Sequence, residues 1–154
     1  MARTLLLDKI TVQYSPRTSG KGDPSKKEEL RDKLLDAFKR SNMDLENLTK
    51  RCRNAKYLSL DVVYRIFHGS KVEGRERKDL DNMLKILLDV LPERFSVQDK
   101  SKQREGLGLI AGEDDTKIFE IHCAKKKVYE ENEEGLELAI FQLDEADVLF
   151  KESQ

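Results

Sequence analysis

The sequence predicts an α+β fold: one domain over residues 1–154, with a mixed or antiparallel sheet and helices packed on one of its faces. Three observations lead there. Residues 57–67 alternate apolar and polar, as a half-buried strand does. Residues 79–91 carry apolar side chains at helical spacing. Strand-like and helix-like segments follow one another in the order β-α-β-α-β-β-β, with no internal repeat and no linker long enough to divide the chain. A chain of 154 residues is long enough to bury a real core. Hydrophobic and charged residues each make up 38% of it, and the periodicity of the apolar ones favours a folded chain over a disordered one.

The first strand is expected over residues 4–14, where Ile10, Val12 and Tyr14 alternate with Thr11 and Gln13. Ser15 to Pro24 reads as a loop, and its Gly20-Lys21-Gly22 lacks the spacing of a phosphate-binding loop. Ser25, with Glu28 three residues on, suits a capping box and starts a helix to about Asn42, whose stripe is Leu30, Leu34, Ala37 and Phe38. Asp44 to Arg53 adds a short helical stretch. In the next strand Leu58, Leu60, Val62, Tyr64 and Ile66 share one face, with Ser59, Asp61 and Arg65 on the other. A basic loop with Lys71, Arg75, Arg77 and Lys78 leads into the helix 79–91, which Pro92 ends. Residues 93–105 read as a charged, irregular loop. Leu107 to Ala111 and Thr116 to Ala124 read as a hairpin with its turn at Gly112 to Asp115. A last strand is expected over 135–143, and 144–154 as an acidic extension.

Charge is unevenly spread. Residues 130–154 hold nine acids and one base, a net of −8, which leaves +7 on the rest of a chain whose net charge is −1. A basic body is compatible with a polyanionic partner, or with an ordinary solvated surface. No run of about 18 apolar residues is present, and the N-terminal Leu5-Leu6-Leu7 is too short for a signal segment. A membrane protein is therefore not expected. Cys52 and Cys123 have no metal-ligand spacing and read as reduced thiols of a cytoplasmic protein. His68 and His122 are isolated, and neither is assigned a role.

The densest chemistry lies in Asp79-Leu80-Asp81-Asn82-Met83-Leu84-Lys85 and the later pair Asp114-Asp115. Leu80, Leu84, Leu87, Leu88 and Leu91 make a wide stripe that Met83, Ile86 and Val90 extend, so the helix is expected to be buried on more than one side, by the sheet and by a second subunit. Its narrow polar face holds Asp81, Asn82, Lys85 and Asp89. Asp79 suits the N-cap and Asp81 the first turn, where the positive end of the helix favours ionised carboxylates. Clustered ionised oxygen ligands suit Mg²⁺ or Mn²⁺. The plainer readings are a cap, a first-turn acid ion-paired with Lys85, and turn chemistry at Asp114-Asp115.

Arg77-Lys78-Asp79-Leu80-Asp81-Asn82-Met83-Leu84-Lys85, then Leu88-Asp89-Val90-Leu91, then Gly112-Glu113-Asp114-Asp115-Thr116-Lys117-Ile118, resembles the RusA family of Holliday junction resolvases. The resemblance covers roughly residues 5–143. It implies a small homodimeric, Mg²⁺-dependent (Mn²⁺ as substitute) endonuclease that cuts four-way DNA junctions. It implies Asp79, Asp81 and Asp115 as catalytic, metal-binding acids, with Asp114 as the substitute for Asp115, and Lys85 as the catalytic lysine. Arg75, Arg77, Lys78, Lys125, Lys126 and Lys127 are then expected to contact backbone phosphates. The segment 92–106 is longer than the family pattern, and the acidic C-terminus is additional. Two other readings accompany this one: a nuclease acting on flap or other branched DNA, and a non-catalytic DNA- or protein-binding module whose acids are structural.

Overall fold

The computed structural model describes residues 3–16, 25–67, 80–96, 103–112 and 115–150. Strand β1 (Thr4–Gln13) leads to helices α1 (Ser25–Arg40) and α2 (Leu45–Asn54), then to strand β2 (Tyr57–Phe67) and helix α3 (Leu80–Val90). Two short strands follow, β3 (Arg94–Ser96) and β4 (Gln103–Glu105), then β5 (Ile118–Val128), β6 (Gly135–Leu143) and the short helix α4 (Glu145–Val148). The main sheet has the order β1-β6-β2-β5. β6 runs antiparallel to both β1 and β2, and β5 runs parallel to β2. The α+β class and the mixed sheet are as the sequence predicts.

The two faces of β2 follow its alternation. Leu58, Leu60, Val62, Tyr64 and Ile66 are all buried in the core, together with Leu30, Leu34 and Phe38 of α1 and Met83, Leu87 and Val90 of α3. Burying one such side chain is worth roughly 1.5–3 kcal/mol, so this face is what holds the helices to the sheet. On the opposite face, Lys9 pairs with Glu137 at 2.9 Å, and Arg3, Ser59, Asp61, Glu120 and His122 form a polar network. Glu134 is buried and accepts the backbone N–H of Phe67 at 2.9 Å, closing the end of β2 where the β5–β6 connection passes it.

Residues 107–124 do not form the expected hairpin. α3 ends just before Pro92, and its last carbonyls need donors from outside the helix. Leu107 donates to Val90, Gly108 to Pro92 and Leu109 to Leu91, at 2.7–3.0 Å. The segment 107–110 is thus the closure of the helix end, and Ile110 bridges Pro92 in parallel. The expected partner strand, lengthened to Ile118–Val128, instead lies beside β2. β2, α3 and β5 therefore make a β-α-β crossover, the connection that parallel neighbours require. The region 93–105, expected to be irregular, contains the small antiparallel pair β3–β4. α1 starts at Ser25, whose side chain lies outside the described residues, as does the expected loop 17–24. Asp44 caps α2 by accepting the N–H of Asn47 at 3.1 Å.

Candidate functional site

Asp81 and Lys85 stand one turn apart on the exposed face of α3, whose buried face is Met83, Ile86, Leu87 and Val90. Among the described residues neither is held in an ion pair, so Lys85 does not serve as the salt-bridge partner of Asp81. Asp89, on the same helix, is instead bound at 2.9 Å to Lys27 of α1. Asp81 lies in the first turn, where backbone N–H groups lack intrahelical acceptors and the helix end is positive.

The position of α3 is fixed from below. The buried Tyr64 hydroxyl donates to the Met83 carbonyl at 3.0 Å, and burial keeps that phenol protonated well beyond its ordinary range. Tyr64 pairs with Lys125 across the β2–β5 register. The start of α3 therefore lies over the end of β5 that carries Lys125, Lys126 and Lys127, all three exposed. Asp81, Lys85 and three lysines share one end of the sheet. β2 also ends there at Phe67, and α3 begins there at Leu80. Arg75, Arg77, Lys78 and Asp79 lie outside the described residues, as does Asp114.

Asp115 is elsewhere. Its carbonyl accepts the N–H of Ile118 at 2.9 Å, and Ile118 pairs with Leu58 at the start of β2. Lys117 anchors the same corner by donating to the carbonyls of Cys52 (3.2 Å) and Arg53 (2.8 Å) at the end of α2, and partial burial lowers its pKa. Arg53 in turn binds Gly108 and Glu93, which lie at the C-terminal end of α3. Asp115 thus sits at the far end of α3 from Asp81. With a rise of 1.5 Å per residue the two are on the order of 15 Å apart. The expectation that Asp115 joins Asp81 around one ion therefore fails within a single chain, because the parallel crossover sends β5 back to the start of β2. Among the described residues no group of three His, Cys, Asp or Glu side chains is placed to hold a metal ion. Asp79 and Asp114, the other acids expected to bind Mg²⁺, lie outside the described residues.

Sequence reasoning missed the network on the open face. Arg3 holds Asp61 through both carboxylate oxygens (2.9 and 3.2 Å) and donates to the Ser59 hydroxyl (3.1 Å), with its guanidinium over the Phe141 ring. Ser59 donates to Glu120 at 2.8 Å, and the same Glu120 oxygen meets His122 at 2.9 Å. Those bonds, Ser59 first, hold the Glu120 pKa below its ordinary range. Because Glu120 lies between Ser59 and His122, the imidazole is not in contact with the hydroxyl and this is not a nucleophile–base pair. The alternation of β2 placed Ser59 and Asp61 together, but only the β2–β5 register brings Glu120 and His122 to them.

No protein-family model, curated protein or solved structure matches the chain. Among the described residues no helix is long and apolar enough to cross a membrane.

Proposed function

We propose that the chain is a Mg²⁺-dependent, structure-selective endodeoxyribonuclease that resolves four-way DNA junctions. The observation that carries this reading is the gathering of Asp81, Lys85 and Lys125 to Lys127 at one end of the sheet. A first-turn acid and an exposed lysine that neutralise nothing among the described residues are available to a substrate. Surface lysines in a row suit a phosphate backbone, which they position without reading sequence. Lys85, a point charge one turn from Asp81, would hold the scissile phosphate or offset charge on the leaving oxygen. Mg²⁺, held by Asp79, Asp81 and Asp115 as the resemblance implies, would supply charge stabilisation at the phosphate.

The resemblance to RusA resolvases supplies the substrate class, the homodimer and the roles of Asp79 and Asp115. The cytoplasmic location proposed with it agrees with two free cysteines, one of them, Cys52, wholly buried with its thiol pKa pushed up to about 11. The test compares synthetic four-way, flap and linear duplex DNA in Mg²⁺. Symmetric cleavage of the four-way substrate, lost in Asp81→Asn, supports the proposal. Preference for flaps points to another branched-DNA nuclease. Binding without cleavage of any substrate points to the non-catalytic module.

A further inference from the structure

On the open face of the sheet three acids already have partners. Arg3 holds Asp61, the Ser59 hydroxyl and His122 hold Glu120, and Lys9 holds Glu137 at 2.9 Å. Arg65 differs from them. It projects from the same face, between the buried Tyr64 and Ile66, and is itself half-buried. Among the described residues its guanidinium has no acid partner, and its Nε is buried with no hydrogen-bond acceptor. A buried donor left unpaired is rare in folded proteins, and this one belongs to a group that is always charged.

The strand register explains why no acid reaches Arg65. Its neighbour on β6 is Gly135, which has no side chain, and beyond Gly135 on β1 stands the neutral Gln13. Its neighbour on β5 is Lys126, which is exposed. This row of the sheet therefore carries two cations and no acid. The lysine run also straddles its strand. Lys125 and Lys127 pair with Tyr64 and Ile66 and so project on the α3 side, whereas Lys126 projects with Arg65 on the open side. β5 is the edge strand and β2 lies one strand further in. Lys126 can be approached from either side of that edge, Arg65 only over the open face.

We propose that Arg65 is a phosphate-binding residue on the open face of the sheet, and that its ligand is a backbone phosphate of a nucleic-acid strand that reaches this face around β5. A guanidinium offers Nε and one Nη as parallel donors, which two phosphate oxygens accept. Turned outward to such a ligand, Arg65 exchanges an unpaired buried Nε for a paired one. Lys126 adds a second charge beside it, and a phosphate contact of this kind positions a strand without reading its bases.

The path around β5 rests on the nuclease reading, which seats the substrate at Asp81 and Lys85. A duplex is stiff over tens of base pairs, so a linear one seated there does not also fold over the edge of the sheet. DNA with a branch point presents phosphates to both sides of β5 at once. Arg65 then favours branched over linear DNA, a preference that the lysines on the α3 side do not supply.

Two measurements on the full chain test this. The Arg65 Nε–H signal in a nuclear magnetic resonance spectrum, identified by its loss in Arg65→Lys, is expected to shift as inorganic phosphate replaces chloride at constant pH and ionic strength. It is expected to shift again with a synthetic four-way junction. In chelator, where no strand is cut, Arg65→Gln is expected to weaken four-way binding about tenfold and linear duplex binding by less than about twofold, and to lower the four-way salt slope by about one. A signal that neither phosphate nor the junction moves overturns the site, as does a junction affinity that Arg65→Gln leaves unchanged. A signal moved by phosphate but not by a bound junction overturns the nucleic-acid ligand. Equal weakening on four-way and linear DNA overturns the path around β5. Arg65-dependent binding by a wild type that cuts no branched DNA supports the site and overturns only the nuclease reading.

Discussion

Asp81 and Lys85 are exposed and unpaired among the described residues, so they contribute little to stability in their own chain. Surface changes of this kind are usually within about 0.5 kcal/mol. Asp81→Asn and Lys85→Met are expected to leave the urea midpoint unchanged and to lower junction cleavage at least ~100-fold, the scale at which preorganised charge acts. Tyr64 is the opposite case. Tyr64→Phe removes the hydroxyl that β2 donates to the Met83 carbonyl of α3 and is expected to cost about 0.5–1.5 kcal/mol in urea unfolding. Glu120 gives a pH signature. Its folded-state pKa lies below the ordinary value of 4.5, so its contribution is present above that pH and is lost as pH falls through the folded pKa. The contribution is screened, since the side chain is 38% exposed. Glu120→Gln is expected to flatten the acid limb of a stability–pH profile; an unchanged limb places the titration elsewhere.

At the scale of elements, β2, α3 and β6 were legible because their apolar periods are long and uninterrupted. β2 occupies Tyr57–Phe67 and β6 Gly135–Leu143, as the alternation predicts. The hairpin was misread for a physical reason. Gly112 and the neighbouring acids carry turn chemistry, but the donors before them are needed to close the end of α3, a tertiary demand that no local pattern displays. A strand, a helix and a further strand also admit a crossover as readily as a hairpin, and the crossover places β5 parallel to β2. That single pairing decides the candidate site. It brings Lys125 to Lys127 to Asp81 and takes Asp115 away, so the spacing of acids along the chain was a poor guide to their convergence in space. Gly135 tests the register of β6 directly. A Cβ there would collide with the Val12 carbonyl of β1, so Gly135→Ala is expected to destabilise by about 1–3 kcal/mol through a forced strand shift.

At the scale of the whole molecule, composition indicated a basic body with an acidic C-terminal segment, and the fold divides that segment between the two ends of the sheet. Glu130, Glu131, Glu133 and Glu134 follow the lysines of β5 at the Asp81 end, in the β5–β6 connection, whereas β6 carries the remaining acids on to α4 at the opposite end, where Tyr57 donates to Glu145 at 2.8 Å. Replacing Lys125, Lys126 and Lys127 together by alanine is expected to weaken binding to four-way and linear DNA alike and to lower the slope of log affinity against log salt. The proposed function depends most on Asp81 as part of a Mg²⁺-dependent nuclease site. The direct measurement is cleavage of a synthetic four-way junction in Mg²⁺ by the wild-type chain and by Asp81→Asn, with folding of both checked by circular dichroism. Paired nicks across the junction are expected for wild type, none in chelator, and none for a folded Asp81→Asn. Equal cleavage by both proteins, or none by a folded wild type, would contradict it.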